Sequence, residues 1–159
     1  MVHNEATMKK TFFALLLSGL ALNLASLEKN DFDKIFDFSL DIKGIYKIVQ
    51  DPSFNPSGKR AVIFDGTVAG ILVLNPEPDE FIAELEVAGA EWEAEEVSLF
   101  RVFVYALGPE FAGQIDSEDA QIRRNTRLLV IGVIDSVYTD EADGKKYAII
   151  LAHHIRVIP

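Results

Sequence analysis

Past Lys59 the chain divides into five stretches in which apolar and polar residues alternate or run dense in branched side chains, each closed by proline, glycine or acidic residues. A period of two marks a β-strand with one face buried. The first predicted strand is 61–74, with Gly66 and Gly70 inside it, where glycine suits a ribbon that must bend sharply. Asn75-Pro76-Glu77-Pro78-Asp79 ends it. The second, 81–92, sets Phe81, Ala83, Leu85 and Val87 against Ile82, Glu84, Glu86 and Ala88. Acidic 93–96 makes a hairpin loop. The third, 97–107, places Phe100, Val102, Val104 and Ala106 on one face and Leu99, Arg101, Phe103 and Tyr105 on the other. Gly108-Pro109 stops it, and polar 110–125, with spaced Phe111, Ile115, Ala120 and Ile122, predicts a short helix. The fourth and fifth strands, 126–138 and 145–158, flank a hairpin loop that ends on Gly144.

Ahead of the strands, Phe32, Ile35, Phe36, Leu40, Ile45, Ile48 and Val49 recur mostly at helical separations. They predict one or two short helices, divided at Gly44 and ended by Asp51-Pro52, because a residue before proline is pushed out of the helical region. Further upstream, Met8-Lys9-Lys10 precedes the uncharged, Leu-rich run 11–27, the pattern of a secretory leader. The expected organisation is a leader over 1–26 with Met8 a candidate start, a helical extension and loop over 27–58, and a β domain over 59–159. Export to the periplasm or cell envelope follows, with membrane contact only if the leader stays attached.

The formal net charge is −10 from 15 basic and 25 acidic side chains; Lys9, Lys10 and Glu5 fall in the leader, which leaves −11 for the rest. By count alone such a surface repels polyphosphate, so nucleic acid is expected to be disfavoured as a partner. Cysteine is absent, which excludes disulfides, thiolate metal sites and a cysteine nucleophile.

Two segments carry a resemblance. Asp41-Ile42-Lys43-Gly44-Ile45-Tyr46 through Pro52, then Gly58-Lys59-Arg60-Ala61 through Val68, resemble the opening of secreted bacterial OB-fold domains. Asn125-Thr126-Arg127-Leu128 through Ile134, with Tyr147 through Ile158, resembles the closing hairpin of the tRNA-anticodon-binding-like OB families. The resemblance covers the last two thirds of the chain and implies a mainly β, five-stranded OB-fold barrel with a short helix between strands three and four and an N-terminal helical extension. It transfers no functional residue.

OB barrels bind ligands on the outer side of strands two and three. A turn near Ala94-Glu95 puts Trp92, Arg101, Phe103 and Tyr105 there, beside Ile82, Glu84 and Glu86. These four are the candidate ligand-binding residues, since aromatic rings beside an arginine can stack bases. The competing reading is that Phe103 and Tyr105 are covered by the N-terminal helices or pair across strands.

His153 and His154 are neighbours on a strand and point to opposite faces, so no metal pair is expected, and one of them should be an edge or core histidine. Asp140-Glu141-Ala142-Asp143-Gly144 fails as a calcium loop, because Ile150 stands where the bidentate glutamate belongs. No nucleophile elbow, phosphate loop or His-Glu-x-x-His motif occurs. No catalytic residue and no cofactor is expected. The leading functional expectation is a non-catalytic binding module for an unknown protein, peptide or small ligand. The alternatives are single-stranded nucleic acid or oligosaccharide on the strand two–three face, and, ranked last, a hydrolase with a carboxylate dyad.

Overall fold

The computed structural model describes residues 36–37, 39–58 and 60–159. The leader and the first part of the predicted helical extension lie outside them. Phe36–Pro159 forms one compact unit, in the order β1 (Phe36–Asp37), α1 (Ile42–Gln50), β2 (Ala61–Asn75), β3 (Ile82–Glu93), β4 (Glu96–Leu107), α2 (Pro109–Ile115), β5 (Arg127–Thr139) and β6 (Lys146–Val157). The five predicted strands are β2 to β6. Among the described residues no helix is long and apolar enough to cross a membrane.

Alternation along each strand determines which face turns inward. Ala83, Leu85 and Val87 of β3 and Val102, Val104 and Ala106 of β4 are fully buried, and Val62, Phe64 and Val68 of β2 meet Leu128, Val130 and Ile134 of β5 in the same interior. The sheet runs β2–β3–β4–β6–β5 and closes by a second pairing of β2 with β5. β4 and β6 are parallel, from Phe103↔Ile149 to Tyr105↔Leu151, and the other barrel pairings are antiparallel. A closed five-strand ring with this order, and a helix between its third and fourth strands, is the OB fold.

Closure demands that β2 bend. Its first half, Ala61 to Thr67, pairs with β5, and its second half, Thr67 to Asn75, pairs with β3, with a register shift between Val68 and Gly70. A bulge of this kind bends and twists the strand that carries it. Gly66, expected to serve curvature, has a packing duty as well. A Cβ there would lie 2.6 Å from Ile42 Cδ1, and one on Gly89 would lie 2.8 Å from Ile42 Cγ2. The first side chain of α1 therefore occupies the hollow that two glycines leave in the barrel wall.

α1 is one helix, and Gly44 does not divide it. The Asp41 carboxylate accepts the Gly44 N–H at 2.7 Å, so the glycine sits in a capped first turn where helical order begins. Phe36, expected in a helix, is in β1, whose backbone pairs in parallel with Ala61 and Val62. Ile42, Ile45 and Val49 of α1 are buried in the core. Gln50 docks its far end like a short strand: Nε2 donates to the Lys146 carbonyl at 2.5 Å, and Oε1 accepts the Lys146 N–H at 3.2 Å. α2 is shorter than expected. Pro109 at its first position suits an N-terminus, Phe111 and Ile115 are buried, and Ile122 is pinned by its N–H to the Gln114 carbonyl at 2.9 Å.

At Gly132 the β6 backbone leaves no room for a side chain, since a Cβ there would lie 2.5 Å from the Leu151 carbonyl oxygen. Backbone in a ladder cannot step aside as a side chain can. Gly132→Ala is expected to lower stability by about 1–3 kcal/mol, measured by urea unfolding; a variant as stable as the parent would show that the β5–β6 seam has slack.

Candidate binding face

The β3–β4 register pairs Glu84 with Tyr105, Glu86 with Phe103, Ala88 with Arg101, Ala90 with Leu99 and Trp92 with Val97. Facing residues of an antiparallel pair share a side, so these five rows form one surface opposite the buried Val87 and Val102. The turn falls at Ala94-Glu95, with Ala94 at φ 58°. All four candidate residues, Trp92, Arg101, Phe103 and Tyr105, stand on this outward surface, but they differ in how they are held.

Trp92 is 75% exposed at the hairpin tip, with Val97 and Leu99 exposed beside it. Arg101 is committed. Its Nη1 donates to Glu86 Oε1 at 3.0 Å and its guanidinium lies 5.5 Å from the Tyr147 ring centroid, a cation–π distance. The Glu86 bond, ahead of all other influences, pushes the guanidinium pKa higher still. Phe103 meets Tyr138 edge-on at 6.0 Å and Tyr147 at 5.8 Å. Phe103 thus pairs across strands, one of the two forms of the competing packing reading. Tyr105 donates its hydroxyl to Glu84 Oε2 at 2.5 Å.

Tyr138 and Tyr147 went unnoticed in the sequence because they belong to the closing hairpin. They are register partners across β5–β6, and only the parallel seam brings β6 alongside β4. Their position on either side of one predicted hairpin loop is the signal that could have found them. Tyr147 is buried, and also contacts Tyr46 of α1 at 6.1 Å, whereas Tyr138 is 46% exposed. Two strand pairs and α1 thereby support one aromatic patch around Arg101.

A trough of about 570 Å³ opens beside these rows. Ala88, Gly89 and Ala90 form part of its wall because their side chains are too small to fill it. Two ion pairs stand along it: Lys43 of α1 with Glu91, and Arg127 of β5 with Asp65 of β2. Arg127 grips one carboxylate oxygen twice, Nε at 3.0 Å and Nη2 at 2.5 Å.

Other expectations resolve differently. His153 and His154 are both exposed, and the register shift from Ile131↔His154 to Gly132↔Ala152 leaves His153 unpaired in a bulge, so neither is a core histidine. Among the described residues no group of three His, Asp or Glu side chains could hold a metal ion. In the 140–145 loop the carboxylates serve the turn: Asp140 accepts the Ala142 N–H at 2.8 Å and Asp143 the Lys145 N–H at 3.0 Å, which with the Lys145 ammonium holds Asp143 below the usual carboxylate range.

No family model matches the chain, and no curated protein matches it. Solved structures resemble it in fold. A Plasmodium falciparum SSB, solved in complex with ssDNA, is 13% identical over 69% of this chain and 98% of its own, with a TM-score of 0.47. A small single-stranded DNA-binding protein from Streptomyces coelicolor is 18% identical over 63% and 94%, with a TM-score of 0.42. Another from Mycoplasma pneumoniae is 11% identical over 60% and 90%, also with a TM-score of 0.42.

The expectation that acidity disfavours nucleic acid as a partner is corrected here: single-stranded DNA-binding proteins are among the chains of similar fold, and net charge does not decide the matter. Net charge sums a whole surface, while a strand meets only the cations within a screening length of its path. Some carboxylates lie off the face, such as Asp116, Glu118 and Asp119, while on or beside it Lys43, Arg101 and Arg127 stand against Glu84, Glu86, Glu91 and Asp65.

The Glu84 contact pushes the Tyr105 pKa from its ordinary 10.0 to about 12, through the hydrogen bond first, then desolvation and the like charge that ionisation would create. Between those values an unfolded chain gives up the phenolic proton that the folded one keeps, so this contribution to stability is full below pH 10 and is lost as pH rises toward 12. Glu84→Gln should return the ionisation toward 10, read as the ultraviolet titration difference between each protein and its Tyr105→Phe counterpart. Unchanged titration would show that Glu84 does not govern the group.

Proposed function

We propose that this chain is a non-catalytic binding module whose β3–β4 face takes a single strand of nucleic acid. The observation that carries the reading is the placement, on one outward surface, of the exposed Trp92, the Arg101 guanidinium and the half-buried Phe103 and Tyr105, with Tyr138 continuing the patch. Flat rings offered to solvent accept any base by stacking, and cations beside them attract the backbone. An OB barrel places such a face on rigid strands. Trp92, with no large part of its ring buried, has little to contribute to folding and much to offer a ligand.

The basic start at Met8-Lys9-Lys10 and the apolar run after it support export as a further part of the proposal. The strand would then be one met outside the cytoplasm, in the periplasm or at the cell envelope. N-terminal sequencing of protein recovered from the envelope fraction tests this part separately.

Titration of the full chain with an oligothymidylate should quench the fluorescence of Trp92, the only tryptophan. Trp92→Ala should weaken binding by about 1–3 kcal/mol, the worth of one stacked base, and affinity should fall steeply with added salt. Binding of oligosaccharides with no salt dependence would replace this reading with sugar recognition. Quenching by neither ligand at low salt would remove the face from consideration.

A further inference from the structure

The trough beside the face carries an arrangement that stacking alone does not use. Its two cations come from different elements, Lys43 from the first turn of α1 and Arg127 from the start of β5, and each is paired with a carboxylate from another element, Glu91 of β3 and Asp65 of the adjacent β2. Asp41, also in the wall, is already engaged in capping α1. As it stands, the trough presents paired charges to an approaching anion.

The Arg127–Asp65 pair is of the weak kind: its side chains are 60% and 46% exposed, so water screens the attraction and competes for both partners. The Lys43–Glu91 pair is half open, with Glu91 48% exposed while Lys43 is 23% exposed and lies 5.7 Å from the Phe100 ring centroid. A phosphodiester oxygen is a strong acceptor for a guanidinium, and a strand that neutralises cations along its path gains from the counterions it releases. Position favours the exchange: Ala90 and Leu99 line the trough one outward row from Trp92 and Val97, and Ala88 lines it in the row of Arg101. A backbone whose base stacks on Trp92 reaches the trough at the next row.

Resting on the face reading above, we infer that the trough is the phosphate path of the bound strand, with Lys43 and Arg127 as its backbone contacts and Glu91 and Asp65 as carboxylates that must release them. The carboxylates act as a threshold. They hold the cations in place in the free protein and set a modest cost, which a strand touching both cations and stacking beside them offsets. The acidic balance of the chain then limits loose association with polyanions while leaving a defined path for a strand that also stacks.

The test uses the full chain and a fluorescein-labelled oligothymidylate of about 15 nucleotides, within the span an OB barrel covers, with thermal melts confirming that each variant folds. Asp65→Asn and Glu91→Gln should each tighten binding roughly threefold at 50 mM salt, the gain vanishing near 1 M, where charges are screened within about 3 Å. Arg127→Gln and Lys43→Gln should weaken binding and make the salt slope shallower by about 0.7 each, the value for one single-strand phosphate contact. If Trp92→Ala weakens binding while the four trough variants change neither affinity nor slope, the strand takes another route and this inference falls with the face reading intact. If no protein, the carboxylate variants included, binds the oligonucleotide at low salt, both fall.

Discussion

The fold rests on one strand serving two partners. β2 gives its first half to β5 and its second half to β3, and Thr67 is paired on both sides. Without the bend after Val68 the ribbon would continue flat, β5 would have no place to return to, and the inward rows of Val62, Phe64, Val68 and Leu128 would face water. Closure is also what leaves so little open sheet edge, a known route to unwanted pairing. The hydrophobic gain from filling the ring and the geometry of the bulge are inseparable here, since neither exists without the other.

Closure has a second consequence in the wall of the barrel. Gly66 and Gly89 lie where the interior meets α1, and the absence of two Cβ atoms lets Ile42 enter. That seating, together with the Gln50 amide bonded to the Lys146 backbone, fixes α1 at both of its ends. A helix so held can bring Lys43 to Glu91 and Tyr46 to Tyr147, and the candidate surface borrows residues from a segment that precedes the barrel by sequence.

The surface joins stacking groups to charges that are already paired. Arg101 is held between Glu86 and the Tyr147 ring, Tyr105 is tied to Glu84, and the trough cations are tied to Asp65 and Glu91. Preorganised side chains lose less entropy on binding, but paired cations attract an anion less. Trp92 is the exception, rigid in itself and exposed at the hairpin tip. The balance between exposed ring and latched charge sets how strongly such a face holds a polyanion.

Period-two alternation determined β3 and β4 almost completely. A strand with one buried face must sort its side chains by parity, so the sequence alone sends Ala83, Leu85 and Val87 to one face and Trp92, Arg101, Phe103 and Tyr105 to the other. The barrel was legible through the resemblance carried by 41–68 and 125–158, while the order of its strands in the sheet is a property of the structure. Local pattern could not decide Phe36 or Gly44: two residues paired to a neighbouring strand look helical by spacing, and a glycine inside a capped turn looks like a break. Nor could it decide the joining of Tyr138 and Tyr147 to Phe103, the seating of Ile42 over two glycines, or the pairing of Arg127 with Asp65, 62 positions apart. Those depend on which strands become neighbours when the ring closes. Parity is a property of each strand alone, whereas contact across a seam is a property of the closed barrel.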